Sequence, residues 1–451
     1  MEWQEKRVLV FGTGVSGIGA ADLLEKVGAV PVLYDGNKAL TEEAVREKLP
    51  LGSRARIVIG EMTDQVLEGI DLAVLSPGVP TDLPEVNQIR EAGIPIWGEI
   101  ELAYRNSKGD VLAITGTNGK TTTTTLVGEI MKYHQEQVFV VGNIGTPYTD
   151  AALQTTEASV AVAEISSFQL ETIDRFHPKV SAITNITPDH LNRHHTMEEY
   201  IRVKESITKN QTPEDTCVLN YEDEELRRFG ENLVPKVIFI SSRRKLEKGL
   251  YLNGSVIEYK DGASVTEICS VKELKLPGLH NYENVMTAVG MTMAYGVPLE
   301  EIRHVLRRFT AVEHRIEYVA EKGGVVYYND SKGTNPDAAI KGIQAMDRPT
   351  VLIGGGYDKD SSYEEWIRAF DGKVKYLVLV GQTKEKIAAA ARRCGFQDIL
   401  MADTFQEAFE LCVSHAEPGD AVLLSPACAS WGMFPNYEVR GKVFKELVHQ
   451  L

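Results

Sequence analysis

The chain has 451 residues, 43% of them hydrophobic and 25% charged, the balance of a folded water-soluble protein with room for about three cores. A formal charge of −16 and a pI near 5.2 exclude a general nucleic-acid or anionic-membrane binder, while leaving room for a local basic pocket. The five cysteines (Cys217, Cys269, Cys394, Cys412, Cys428) form no CxxC pair, so neither a zinc site nor a disulfide framework is indicated. No apolar run is long enough to cross a bilayer and the first residues carry no leader pattern, so a cytoplasmic location is expected.

Short β-branched runs alternate with helical stretches, the pattern of parallel sheets with crossover helices. In the first region Arg7–Phe11, Val30–Tyr34 and Leu72–Leu75 read as strands, with helices at Ala20–Val27 and Pro84–Ala92. Gly12-Thr13-Gly14-Val15-Ser16-Gly17 follows the first strand and precedes a helix, and Asp35 closes the next strand. That is the dinucleotide fingerprint, whose physics is a diphosphate on a helix N-terminus and a hydroxyl-bearing group near the acid. NAD fits it, and so does a nucleotide sugar. Ser76-Pro77-Gly78 ends a further strand, where it lines the same crevice.

The second region opens on Val111 and carries the most informative segment, Thr115-Gly116-Thr117-Asn118-Gly119-Lys120-Thr121-Thr122. Glycines let the backbone fold around an anion, a helix start offers unpaired N–H groups, Lys120 adds a mobile charge, and the Thr121 hydroxyl suits Mg²⁺. The spacing between the glycines is shorter than in the general phosphate loop. Further strands are expected at Val138–Val141, Val160–Ile165 and Val180–Ile186. Glu164 at a strand end is either an Mg²⁺ ligand or a solvated carboxylate, and Asn143 is a similar strand-end polar group. His190, in Asn185-Ile186-Thr187-Pro188-Asp189-His190, suits a metal, a substrate phosphate or a structural hydrogen bond. Composition alone makes Lys204 a surface lysine on a helix, and Leu250–Glu273 a small β excursion. The third region has strands at Val325–Asn329, Val351–Gly354, Tyr376–Val380, Ile399–Ala402 and Ala421–Leu424. Three α/β modules in series are expected, 1–98, 99–311 and 312–451.

The blocks TGTNGKTTT (115–123), EISSFQLE (164–171), NITPDHLNRH (185–194), LPGLHNYEN (276–284), HRIE (314–317), NDSKGTNPDA (329–338) and LLSPACASW (423–431) together closely resemble the Mur ligases. The last block, with Phe434, Asn436 and Tyr437, is similar to the D-glutamate-adding branch. The resemblance spans the whole chain and implies a Rossmann-like UDP module, a central ATPase module and a Rossmann-like C-terminal module. It implies ATP-dependent amide formation, in which an L-alanine carboxylate becomes an acyl phosphate that the amine of D-glutamate displaces. The implied partners are UDP-N-acetylmuramoyl-L-alanine, D-glutamate and ATP, and a monomer is expected.

By the same resemblance, Gly14, Ser16, Asp35, Ser76 and Gly78 hold the UDP part, with Asn143 and His190 toward the muramoyl part. Gly116, Thr117, Asn118, Gly119, Lys120, Thr121 and Thr122 hold the phosphates of ATP, and Asn281, Arg315 and Asp330 its adenosine. Two Mg²⁺ ions are implied, on Thr121 and Glu164 and on His190 and Lys204, the latter lysine carbamylated. Lys120, Glu164, His190 and Lys204 are then the catalytic set, and Lys332, Thr334, Lys359, Ser425 and Phe434 the D-glutamate pocket. Asn192 and Gly432 stand where relatives often carry aspartate. Three rivals remain: a hydride-transfer enzyme, which leaves Lys120 and Glu164 without a task; a folylpolyglutamate-type ligase, which needs no nucleotide-sugar module; and a non-catalytic ATP-binding module, which predicts ATP affinity without phosphate release.

Overall fold

The computed structural model describes residues 3–276, 278–310, 313–358 and 361–451, with Asn192 and Asp337 described by backbone alone. Lys359 lies outside the described residues, so its place in the D-glutamate pocket stays an expectation. Among the described residues the strands fall into three sheets. The chain divides into two compact units, one of residues 1–269 and 283–305, the other of 270–282 and 306–451.

The first sheet holds β1 (Arg7–Phe11), β2 (Val30–Asp35), β3 (Arg56–Ile59), β4 (Leu72–Leu75) and β5 (Ile96–Gly98) in the order β3-β2-β1-β4-β5. All its pairings are parallel. The order reverses between β1 and β4, so the loops after these two strands face one crevice, the place where such sheets bind ligands. The sequence reading lacked β3 and β5, which are short and followed directly by polar turns or a helix.

The second sheet contains β6 (Asp110–Thr115), β7 (Val138–Gly142), β8 (Val160–Glu164), β9 (Val180–Ile183), β10 (Thr216–Asn220), β11 (Lys236–Ser241), β12 (Gly249–Asn253), β13 (Val256–Asp261) and β14 (Ser264–Ser270). Its order is β14-β13-β12-β11-β10-β9-β6-β8-β7. Strand β9 ends at Ile183 rather than Ile186, because Thr184 and Asn185 turn away to hydrogen-bond Asn118. The expected β excursion is the strands β12 to β14, which extend this sheet, β12 parallel to β11 and antiparallel to β13.

The helix Glu99–Asn106 between the first two sheets buries Ile100, Leu102 and Ala103 in a core cluster that also contains Val8, Leu24, Trp97, Ala163 and Phe176. One apolar core therefore joins both sheets into the first unit. Two carboxylates lie inside it. Glu101 accepts the backbone N–H groups of Asp174, Arg175 and Phe176, and Glu99 accepts from Gln169 Nε2 at 2.8 Å. Burial raises the Glu99 carboxyl to about 7.

The third sheet, in the second unit, holds β15 (Glu317–Lys322), β16 (Val325–Asn329), β17 (Thr350–Gly354), β18 (Val374–Leu379), β19 (Ile399–Met401) and β20 (Ala421–Leu424). Its order is β15-β16-β20-β17-β18-β19, parallel except for the edge hairpin β15–β16. Apolar clusters cover both faces: Trp366, Leu377 and Leu423 on one side, Tyr327, Phe409 and Phe444 on the other.

Candidate active site

The glycine loop leaves β6 at Gly116, whose φ of +138° is open to glycine, and a Cβ there would run into the Thr184 hydroxyl. It ends at Gly119, the N-cap of the helix Lys120–His134, which gives that helix no side-chain cap. The first N–H groups of this helix are thus directed at whatever sits in the loop. The segment that follows β9, one of the two neighbours of β6, holds the loop in shape. Thr117 N donates to Asn185 O at 2.8 Å, Asn118 N to Asn185 Oδ1 at 2.9 Å, and Thr184 Oγ1 to Asn118 O at 2.6 Å. Thr117 Oγ1 meets Thr187 O at 3.1 Å and the Tyr200 hydroxyl at 3.0 Å.

Two lysines converge on one carbonyl. Lys120 Nζ and Lys204 Nζ each lie 2.8 Å from Gly116 O, and Lys120 Nζ also reaches Thr117 O at 2.9 Å. Lys204, on the helix Met197–Glu205, is 1% exposed, which overturns its reading as a surface lysine. Helical spacing gave no hint of this, because burial is set by the neighbouring sheet. Burial, with the Lys120 charge second, holds Lys204 well below the usual lysine range, and Asp189 opposes that shift. Asp189 has a part the sequence reading did not assign. It was marked only by preceding His190.

Glu164 ends β8, directly across from Ile114 of β6 and Gly142 of β7. Asn143 Nδ2 donates to Glu164 Oε1 at 2.7 Å, while Glu164 Oε2 is buried with no hydrogen-bond partner among the described residues. A buried carboxylate oxygen left bare is costly unless something binds there. Together with the uncapped helix and the Thr121 hydroxyl, this fits a magnesium-bound triphosphate, because Mg²⁺ takes few protein ligands and keeps phosphate and water. No group of three or more His, Cys, Asp or Glu able to cage a metal occurs among the described residues. His190 has φ +52° and a half-exposed ring that meets Phe168 edge-on at 4.8 Å.

In the first sheet, the helix Val15–Lys26 starts at Gly14 without a side-chain cap, and Gly17 packs so closely on Gly12 O that a Cβ has no room. Asp35 accepts from Thr13 N at 3.2 Å, Thr13 Oγ1 at 2.8 Å and Asn37 N at 3.0 Å. Ser76 Oγ, beside Gly12 across the β1–β4 crevice, is buried with no hydrogen-bond partner among the described residues. Gly14 and Gly78 are open to solvent, and Ser16 is half-buried. The structure thus brings Gly14, Ser16, Ser76 and Gly78 to one crevice and engages Asp35 with the loop itself.

In the second unit, Asp330 N donates to Leu424 O at 2.7 Å, which joins the ends of β16 and β20. Asp330 accepts from Ser425 Oγ at 2.7 Å and from Ile316 N at 3.3 Å, and burial raises its carboxyl to about 7. Ser425 is buried on Asp330, and Phe434 packs edge-on against Phe405 at 5.1 Å, beside an apolar cluster. Arg315, Lys332 and Thr334 are half-buried, Asn281 is buried, and Lys332 Nζ lies 5.8 Å from the centre of the Tyr437 ring.

The residue that sequence reasoning passed over here is Arg440. Fully buried, it donates from Nε to Ser331 Oγ at 2.9 Å, from Nη2 to Ser331 O at 2.8 Å, and to Cys428 O at 3.2 Å. One guanidinium thereby ties the Asp330-Ser331-Lys332 turn to the Ser425–Ser430 segment. An arginine in the first turn of an otherwise amphipathic helix, Tyr437–Gln450, gave no signal of burial.

The Mur ligase middle domain matches residues 114–292, the Mur ligase glutamate ligase domain residues 314–428, and the MurD-like N-terminal domain of Mur ligases residues 6–98. The chain is 57% identical to a UDP-N-acetylmuramoylalanine--D-glutamate ligase of Lachnoclostridium phytofermentans, over 100% of this chain and 99% of that protein. It is 56% identical to the enzyme of the same name from Lachnospira eligens, over the full length of both. In fold it is similar to the UDP-N-acetylmuramate-alanine ligase MurC of Thermotoga maritima, with a TM-score of 0.59 at 20% identity over 99% of each chain. Matched along its whole length to relatives of this kind, the chain belongs to the Mur ligase family.

Proposed function

We infer that the chain is an ATP-dependent ligase that joins D-glutamate to UDP-N-acetylmuramoyl-L-alanine in peptidoglycan precursor synthesis. The single observation carrying the ATP chemistry is the bare Glu164 Oε2, at the strand end neighbouring a glycine loop on which Lys120 and Lys204 converge. The acceptor rests on the full-length likeness to ligases named for D-glutamate. The hydride-transfer alternative is not favoured, since the Gly12 loop belongs to a MurD-like N-terminal domain.

Two anions must meet in the first step, the alanine carboxylate and the γ-phosphate, and cations must lie between them. A carboxylate oxygen attacks the γ-phosphorus, the bond to the ADP oxygen breaks, and ADP leaves with that electron pair. The amine of D-glutamate then adds to the acyl carbon, loses a proton, and phosphate departs. Lys120 follows the γ-phosphate, the helix N–H groups hold the chain of phosphates, and the loop fixed by Thr184 and Asn185 keeps the geometry. Magnesium, when bound, neutralises the triphosphate, and Thr121 and Glu164 are the residues that would hold it. For a second ion, His190 and a carbamylated Lys204 are the proposed ligands. Burial shifts Lys204 toward the uncharged amine, the form that reacts with carbon dioxide, and the product is an oxygen ligand suited to a hard cation.

Within the first unit, Gly14, Ser16, Asp35, Ser76, Gly78 and Asn143 are assigned to the nucleotide sugar. For the second unit, Asn281, Arg315 and Asp330 are assigned to adenosine, and Lys332, Thr334, Lys359, Ser425 and Phe434 to D-glutamate. The domain bounds 1–98, 99–311 and 312–451, a monomeric state and a cytoplasmic location complete the reading. No helix among the described residues is long and apolar enough to cross a membrane.

The test supplies UDP-N-acetylmuramoyl-L-alanine, ATP, Mg²⁺ and single amino acids, and reads phosphate release. D-Glutamate should be preferred; a preference for L-lysine or diaminopimelate, or no turnover, rejects the proposal. For carbamylation, Lys204→Ala should lose activity and regain part of it with added short carboxylates.

A further inference from the structure

The segment between Asp189 and Thr196 is held in an unusual way. His190 and His195 both have positive φ (+52° and +64°) and bracket the four-residue helix Leu191–His194. Non-glycine residues seldom adopt that conformation, so tertiary contacts must hold it. Arg193 supplies several of them. Its side chain and that of Glu171 are each 9% exposed, and they form a two-pronged pair, Nε to Oε1 at 3.1 Å and Nη2 to Oε2 at 2.6 Å. Nη2 also donates to Val79 O at 2.8 Å, one residue beyond the Ser76-Pro77-Gly78 turn of the first sheet. The guanidinium lies 4.9 Å from the centre of the Phe168 ring, and that ring meets His190 at 4.8 Å. His194 braces the same spot through Ser167 Oγ at 3.0 Å and Glu171 at 3.4 Å. On the exposed rim, His195 Nε2 and Asp82 Oδ2 are 3.0 Å apart.

We propose that Arg193 is a positioning residue that couples the nucleotide-sugar loop Ser76–Val79 to the His190 segment, so that occupancy of the first sheet's crevice and the orientation of His190 are set together. The planar fork explains the residue type. A guanidinium binds a carboxylate edge-on, donates to a carbonyl and stacks on an aromatic ring at once, whereas an ammonium is a point donor without a stacking face. Phe168 is the relay, lying between Arg193 and His190. The inference rests on the assignment of Ser76 and Gly78 to the nucleotide sugar.

The experiment compares wild type, Arg193→Ala, Arg193→Lys and Asp82→Asn. It measures the Kd for UDP-N-acetylmuramoyl-L-alanine by calorimetry without ATP or Mg²⁺, then kcat, the KM of each substrate, and the melting temperature. Arg193→Ala should weaken nucleotide-sugar binding about tenfold and lower kcat by a similar factor, with the KM for D-glutamate within about twofold of wild type. Arg193→Lys keeps the charge beside Glu171 and should show the same split in weaker form. Asp82→Asn, on the exposed rim, should change these values by less than about threefold. Wild-type Kd and kcat in Arg193→Ala overturn the coupling, as do equal losses for all three substrates that track a fall in melting temperature. Full recovery in Arg193→Lys overturns it too, because charge alone would then suffice. A wild-type protein that does not bind the nucleotide sugar overturns the substrate assignment itself, and the coupling with it.

Discussion

At the carboxyl ends of the second sheet, Lys120 and Lys204 share one carbonyl while a carboxylate oxygen of Glu164 is buried bare. At those of the third sheet, Arg440, Ser331, Asp330 and Ser425 complete one another, Arg440 reaching two carbonyls and a hydroxyl and Asp330 taking a hydroxyl and an N–H. Both regions put charge inside the protein at the ends of parallel strands. The first crowds two amines onto one carbonyl and leaves one carboxylate oxygen without a partner among the described residues, which is why it is the region proposed for a metal-bound triphosphate. The second satisfies itself and spends its polar groups on holding a turn in place. Substitution of Lys120 or Lys204 should therefore cost turnover more than stability, and substitution of Arg440 the reverse.

The largest expected effect lies in the first region. Lys120→Ala should reduce phosphate release by a factor on the order of 10² to 10³ at saturating substrates, with the fold intact by circular dichroism. Near-normal turnover would break the contrast at its strongest point. Lys204→Met should also abolish most activity while leaving the urea midpoint unchanged or higher, because a buried amine held below its usual range burdens the folded state. A lower midpoint would show that the bond to Gly116 O outweighs that burden.

The second region is tested by Arg440→Leu, which leaves the Ser331 and Cys428 carbonyls without their donor. A loss on the order of 3 kcal/mol in urea unfolding is expected. A pH measurement sharpens the contrast further. The Asp330 carboxyl stands at about 7 in the folded state against 3.8 as its ordinary value. Between those values the folded protein keeps a proton that the unfolded chain has released, so stability falls as pH rises through this window. The slope is at most about 1.4 kcal/mol per pH unit from this group. Asp330→Asn should remove that share of the slope, whereas the matching share from Glu99, which has the same sign, stays. Smallest is Thr404→Ala, which removes the N-cap acceptor for Glu407 N and should cost about 1 kcal/mol. It leaves turnover untouched, and so marks the size of an effect remote from either region.

Much of this was legible in the residues. Strands β6 to β9, the glycine loop with its helix, Glu164 at a strand end and the alternation of strand and helix follow from period, turn chemistry and motif spacing, whereas β10 and β11 were not read from the sequence. What escaped shows a pattern. β15 reads as Glu-Tyr-Val-Ala-Glu-Lys, an edge strand with polar residues on its open side, and such strands lack a continuous apolar signal. Lys204, Arg193 and Arg440 were illegible for another reason. A long cationic side chain on a helix reads as solvent-facing wherever it stands, and its burial depends on carbonyls and carboxylates that lie far off in sequence, Gly116, Glu171 and Val79, or Ser331 and Cys428.

By itself, the sequence determined most of the strands and helices, the glycine loop, and which family the chain belongs to, because those properties rest on local backbone preference and on side chains near one another in the chain. Only the tertiary structure decided which charges are buried and what answers them. It buried Lys204, left one oxygen of Glu164 without a partner among the described residues, and turned two arginines into structural forks. The reason is electrostatic: the cost of a charge depends on how much water remains around it and which dipoles replace that water, and both are fixed only when distant strands come together.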